Sequence, residues 1–183
     1  MLSGIWLVTG PPGVGKSTLV SRVVLKLKSV GVIVGGFTTA EVRSRGVRTG
    51  FEVRDLTTGR KGELASVAAR FGPKVGRYRV NLTNLANVGA AGLEAAAKFS
   101  ELVVVDEVGP MELVSPEFRR ALKKCIEAEK PMLAVVHERL EDDLLNELRA
   151  KAKILYTLSV ENRESMADDL APILLAAVGG PKV

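Results

Sequence analysis

GPPGVGKST, residues 10–18, is the stretch on which the reading of this chain turns. Gly10, four residues, and then Gly15-Lys16-Ser17 is the spacing of a phosphate-binding loop. Such a loop works by geometry. Its glycines let backbone N–H groups turn inward around phosphate oxygens, and the helix that follows aims its positive end at the same place. The lysine of the pattern reaches the β- and γ-phosphates and the serine hydroxyl binds Mg²⁺. At these positions the chain has Lys16 and Ser17.

The flanking sequence supplies the required context. Ile5 to Thr9 is a short apolar run and reads as a strand. Leu19, Val20, Val23, Val24, Leu27 and Val30 recur at helical spacing. Gly31 then stops the helix in a left-handed turn, and Val32 to Val34 begin a second strand. Residues 36–65 differ in character. They carry β-branched residues, Phe37 and Phe51, with turn signals at Ser44-Arg45-Gly46 and Thr57-Thr58-Gly59, and predict an antiparallel ribbon of two or three strands. Residues 72–82 predict a loop and a further short strand.

Beyond residue 83 strands and helices alternate. Helices are expected over Leu85–Phe99, Pro116–Ala128, Leu140–Ala150 and Met166–Ala177, and strands over Leu102–Val105, Met132–Val136 and Ile154–Leu158. Ser115 is placed to cap the second of these helices, with Pro116 at its first position. The pattern predicts an α/β fold of the P-loop type: a mostly parallel central sheet flanked by helices, with an antiparallel ribbon at about residues 36–65. One domain is expected over residues 1–178, with 36–82 as a β-ribbon insertion and 179–183 as a frayed tail.

Composition narrows the class. The 183 residues are 46% hydrophobic and 26% charged, enough for a real core without disulfides. Cys125 is the one cysteine and reads as a buried apolar residue, which fits a reducing compartment. No run reaches membrane-spanning length, and the N-terminus lacks the basic start of a signal peptide. A cytoplasmic protein is expected. The absence of glutamine, the single histidine and the many charges fit a heat-adapted source. The net charge of +5 is uneven: residues 1–80 hold 14 Lys/Arg against 4 Asp/Glu, whereas residues 81–183 hold 12 against 17. The basic half contains the glycine loop and suits a polyanionic ligand, although a solvated basic face would read the same way.

LVVVDEVGPMEL, residues 102–113, is the second informative stretch. Its apolar residues deliver Asp106 to the carboxyl end of a central strand, where ligands collect in open α/β sheets. Asp106 is expected to hold Mg²⁺ through water. Glu107 is expected to sit beside the γ-phosphate and take a proton from the attacking water. Glu112 is read as a surface acid, with positioning of water or metal as the other possibility. His137 ends the next strand on the same edge, either contacting the γ-phosphate or the water, or simply ending the strand. Arg43, Arg45, Arg48, Arg77, Arg79, Arg119 and Arg120 are candidates for neutralising transition-state charge, and the sequence does not choose among them. Asn162 and Arg163 follow the last strand. They are placed either to contact the base, or, for Asn162, to cap a helix.

Together GPPGVGKST, GGFTTAEVRSRGVRTGFEV, VVVDEVGPMEL and the late ENRE resemble the small nucleoside-triphosphatases of archaea and thermophilic bacteria. The human cancer-related nucleoside triphosphatase is a relative of that family. The resemblance runs in order and spacing over nearly the whole chain. It implies a single P-loop domain and slow, Mg²⁺-dependent hydrolysis of ATP, GTP, CTP and UTP to diphosphate and phosphate, with little base preference. By position it carries nucleotide binding onto Gly10, Pro11, Pro12, Gly13, Val14, Gly15, Lys16, Ser17 and Thr18. It does the same for Val103, Val104, Val105, Asp106, Glu107, Val108 and Gly109, with Lys16 and Glu107 catalytic and Ser17 and Asp106 at the metal.

Two rivals stand beside this reading. A small nucleotide or nucleoside kinase would use the same loop, with the ribbon as a lid over an acceptor. A nucleic-acid-associated ATPase would track a phosphate backbone with the basic half, using Phe37, Phe51, Phe71 and Tyr78 to stack bases.

Overall fold

The computed structural model describes residues 4–180, so the last three residues of the expected frayed tail lie outside it. The chain runs β1 (Ile5–Thr9), α1 (Lys16–Ser29), β2 (Val34–Ser44), β3 (Val47–Asp55), β4 (Lys61–Ser66), β5 (Lys74–Val75) and β6 (Tyr78–Val80). Next come α2 (Leu82–Asn84), a π-helical turn (Leu85–Ala90), α3 (Ala91–Phe99), β7 (Leu102–Val108), α4 (Pro110–Leu113) and α5 (Pro116–Glu127). The chain ends with β8 (Met132–Val136), α6 (Asp143–Lys151), β9 (Ala152–Thr157) and α7 (Met166–Ala177).

All nine strands form one sheet in the order β5-β6-β4-β3-β2-β7-β8-β1-β9. From β2 to β9 the neighbours are parallel, and from β2 outward to β5 they are antiparallel. The fold is the expected α/β architecture. Its ribbon does not stand apart, because β2 pairs with β7 on one side and β3 on the other. A movable lid is therefore not what residues 36–65 form.

The parallel strands are buried on both faces, which is why they read as unbroken apolar runs. Alternate side chains feed two cores. Ile5, Leu7, Val103, Val105, Met132 and Ala134 point to the side covered by α3, α5 and α6. Trp6, Val8, Leu102, Val104, Leu133 and Val135 point to the side covered by α1 and α7. Phe37 and Phe118 meet edge to face in the first core, 5.4 Å apart at 86°, a geometry aromatic rings favour.

Local signals explain where the elements begin and end. Ser115 Oγ accepts from the Phe118 amide, and Pro116 takes the first helical position of α5. Asp142 accepts from the Leu144 and Leu145 amides, so α6 starts at Asp143 rather than at Leu140. Asn81 accepts from the Asn84 amide and starts the helical stretch three residues earlier than the apolar spacing suggests. Strand β7 runs on to Val108, past a register shift after Val105, because Val108 pairs with Val136.

Gly36 is the tightest point of the sheet. Its φ is +112°, and a Cβ there would lie 1.9 Å from the Val104 carbonyl oxygen on the neighbouring strand. Both the backbone conformation and the space exclude any larger residue. Gly36→Ala should cost about 3 kcal/mol or more, combining backbone strain with overpacking. Urea unfolding measures this, and an unchanged midpoint would mean that β2 can move off β7.

Candidate active site

The loop sits where the parallel strands end. Leu158 N donates to the Thr9 carbonyl at 2.8 Å, and the Thr9 hydroxyl donates to the Val136 carbonyl at 3.1 Å, so the last residue of β1 is tied to both neighbours. Gly10 follows with φ +150°, and a Cβ there would lie 2.6 Å from the Leu158 carbonyl oxygen. Val14 is buried in the second core and anchors the middle of the loop. Gly15, at φ 113°, precedes α1, whose first turn holds no acidic residue. The free amides and the positive end of α1 are left facing outward, and an anion is their natural partner. Lys16 Nζ folds back onto the loop, donating to the Gly10 carbonyl at 2.8 Å and the Pro11 carbonyl at 3.2 Å.

A cavity of about 990 Å³ opens over this loop. Gly10, Pro11, Pro12, Gly13, Gly15 and Lys16 line it, with Ser17 and Thr18 from α1. Glu107 enters from the end of β7, and His137 from the end of β8. His137 N donates to the Val108 carbonyl at 3.2 Å, which brings the two strand ends side by side. The ribbon contributes Thr39, Glu41, Arg43, Arg48 and Phe51.

Asp106 is 1% exposed, and neither carboxylate oxygen has a hydrogen-bond partner among the described residues. Burial raises its pKa to about 7, aided by the neighbouring Glu107 charge and opposed by the Ser17 hydroxyl and Lys16. A buried acid with two unpaired oxygens is costly unless a proton or a cation meets it. A carboxylate facing a serine hydroxyl is a hard oxygen set suited to Mg²⁺, which takes few protein ligands and keeps its waters. Glu107 is also raised by burial, against the pull of Lys16 and the His137 ring.

Glu112 is not the surface acid the sequence suggests. It is 5% exposed, and Glu112 Oε2 accepts from the Gly109 amide at 3.2 Å. It closes the first turn of α4, a helix too short to show in the apolar pattern. Burial first, then the Glu107 charge, pushes its pKa up to about 8. The Glu107 and Glu112 carboxyls each come within 3.2 Å of where a Cβ on Gly109 would sit, so the two acids are neighbours.

Other residues fall differently from expectation. The side chains of Val103, Val104, Val105 and Val108 are fully buried in the cores and line no part of the cavity. They carry Asp106 and Glu107 to the site without facing it. Gly109 likewise does not line the large cavity, since its amide is committed to Glu112. Of the seven candidate arginines, Arg43 and Arg48 reach the cavity. Both are held by Glu41, at 2.6 and 2.7 Å, and those bonds, Arg48's first, keep the Glu41 carboxyl below the usual range. Arg77 donates to the Tyr78 hydroxyl, Arg79 to the Gly72 carbonyl, Arg119 to Asp142 and Arg120 to Glu117. Arg45 is an exposed residue of the β2–β3 turn. Arg139 also lines the cavity and was not among the sequence candidates. Its position three residues past the end of β8 is the signal that would have found it. Asn162 and Arg163 do not line the cavity. Asn162 accepts from the Ser159 amide and donates to the Thr157 carbonyl, so it braces the loop after β9 instead of capping α7.

Comparison with known proteins identifies the family. A family model described as "NTPase" matches residues 6–171. A protein of Thermofilum pendens named nucleoside-triphosphatase THEP1 is 45% identical over 168 residues, covering 91% of this chain and 92% of the relative. One of the same name from Methanosarcina acetivorans is 41% identical over 173 residues, covering 94% and 97%. The crystal structure of THEP1 from Aquifex aeolicus superposes with a TM-score of 0.81 at 30% identity, covering 93% of this chain and 98% of that one. The solution structure of a human cancer-related nucleoside triphosphatase gives 0.77 at 32%, covering 95% and 98%. The chain belongs to this NTPase family.

The buried acids make stability depend on pH in a definite direction. A carboxyl whose pKa rises on folding binds its proton more tightly when folded. Its stabilising contribution is complete below the unfolded pKa and is lost as pH rises to the folded one. For Glu112 that window runs from 4.5 to about 8. For Asp106 it runs from 3.8 to about 7. Without divalent cation, urea midpoints should therefore fall as pH is raised through these windows. Glu112→Gln should flatten the upper part, and a variant profile parallel to wild type between pH 5 and 8 would refute the buried-acid assignment.

Proposed function

We propose, from membership in this family, that the chain is a Mg²⁺-dependent hydrolase of nucleoside triphosphates with broad base tolerance and slow turnover. The observation that carries the reading is the meeting of Lys16, Ser17 and Glu107 in one cavity over the glycine loop. The loop amides and the N-terminus of α1 receive the phosphates. Lys16 exchanges its two carbonyl partners for β- and γ-phosphate oxygens. Ser17 and Asp106 would hold Mg²⁺, which when bound neutralises charge on those same phosphates. Glu107 accepts a proton from a water whose oxygen attacks the γ-phosphorus, and the nucleoside diphosphate leaves with the bridging oxygen. Burial raises the proton affinity of Glu107, as a general base requires.

The cavity walls carry serine, threonine, glutamate, arginine and histidine side chains, so the broad base tolerance is taken from the family and not from the lining. Arg43 and Arg48 both pair with Glu41, so among the described residues neither guanidinium that the ribbon brings to the cavity is without a partner. An arginine aimed at the transition state contributes on the order of 10³–10⁵ in rate, and Arg139, which also lines the cavity, is the candidate there that Glu41 does not hold.

The nucleic-acid reading loses its stacking platform. Phe37 is wholly buried, Tyr78 is buried and Phe51 packs edge to face on Tyr78, leaving Phe71, at 87%, as the one of the four that is largely exposed.

Phosphate release from ATP, GTP, CTP and UTP with Mg²⁺ should be detected for all four. Glu107→Gln should keep Mg·ATP affinity and lose about 10²–10⁴ in rate. Equal rates for variant and wild type would remove Glu107 from the base role. Lys16→Ala should weaken both binding and turnover, read by nucleotide titration and by the same phosphate assay.

A further inference from the structure

A second cavity, of about 200 Å³, adjoins the first, and Thr39, Phe51 and Glu107 line both. Its other walls are Leu64 of β4, Val75 of β5, and Pro110, Met111 and Glu112 of α4. Two of its polar groups, the Glu107 and Glu112 carboxyls, are gathered around Gly109. Phe51, Leu64, Val75, Pro110 and Met111 make the rest hydrocarbon. An apolar cavity of about 150 Å³ stays dry and takes up benzene. This chamber is somewhat larger, is open rather than enclosed, and has one polar end. Hydrolysis has no use for it, since attack by water needs one molecule at Glu107 and polar walls to hold it.

We propose that the chamber is an acceptor site, and that the chain also transfers the γ-phosphoryl group to the hydroxyl of a small apolar alcohol held against Leu64, Val75 and Met111. This rests on the placement of the triphosphate over the loop and on Glu107 as the base. The alcohol oxygen forms the new bond to the γ-phosphorus. The bond from that phosphorus to the bridging oxygen breaks, its electron pair leaving on the nucleoside diphosphate, and the hydroxyl proton passes to the Glu107 carboxylate. The hydrocarbon walls restrict the acceptor, since the sugar and base edges of a nucleoside would meet few polar partners among Phe51, Leu64, Val75, Pro110 and Met111.

The test uses the full chain with Mg·ATP and rising benzyl alcohol or isoamyl alcohol, with ³¹P NMR resolving the phosphate ester from inorganic phosphate. The ratio of ester to phosphate should exceed the alcohol-to-water mole ratio by about tenfold or more, and it should saturate, as for a bound and oriented acceptor. Met111→Trp and Val75→Trp, which fill the chamber from α4 and from β5, should return the ratio to the mole ratio. Because the ratio is internal to each sample, a loss of total activity does not disguise the result. Phosphate release with no ester beyond the mole ratio for either alcohol overturns the acceptor site and leaves hydrolysis standing. Neither product from wild-type protein overturns both.

Discussion

The desolvated carboxylate at the end of β7 is the constraint around which the molecule is arranged. Asp106 has its charge buried and both oxygens unpaired among the described residues. A charge in that position is costly on its own. It is tolerable because Lys16 and the Ser17 hydroxyl are directed to the same region from the loop and α1. The strands hold this arrangement rigidly. Thr9 is bonded to the strands on either side of β1, and Val108 to the start of the segment after β8. The loop, the acid and His137 therefore keep their relative positions through backbone hydrogen bonds and the short, buried Thr9 hydroxyl.

The antiparallel half of the sheet has a second part in the same design. Because β2 continues directly from the parallel sheet, its residues Thr39 to Arg43 are carried over the cavity by strand geometry. Glu41 then gathers Arg43 and Arg48, and Arg48 also donates to the Tyr78 hydroxyl and lies 5.3 Å from the Phe51 ring centre. Pairs at such exposed or half-exposed positions contribute little to stability individually. Joined through one carboxylate and two rings, they fix the wall instead. A wall so fixed suits a site that must keep its shape around ligands of differing base, and it does not suit a lid.

Much of this was legible in the sequence, and the reason is local. The loop, strand β1 and helix α1 lie in one continuous stretch, so spacing alone defines them. The apolar runs of β7 and β8 announce burial on both faces. What escaped depended on contacts between distant residues. Glu112 reads as an exposed acid because α4 is only four residues long and packs on β7 and on α5. The family resemblance carries nucleotide binding onto the valines before Asp106, yet alternation along a strand turns each into a core face. Choosing Arg43 and Arg48 over Arg77 and Arg79 required the register of β2 against β3, which no single stretch encodes.

The uneven charge gains a specific meaning once these positions are known. The first 80 residues carry 14 basic against 4 acidic side chains, yet the cavity itself is close to balance. Lys16, Arg43, Arg48 and Arg139 face Glu41, Glu107 and Glu138 there. The excess lies elsewhere on that half, where it attracts a polyanion at long range and is screened by salt. Near balance at the cavity has a different consequence. Lys16 can leave two neutral carbonyls for phosphate at small loss, whereas Arg43 and Arg48 would each have to give up a charged partner. The lysine is thus the group free to follow charge as it develops, and the two arginines are held back. That division, set by a single carboxylate on β2, separates the group placed to meet phosphate from the groups that fix the wall.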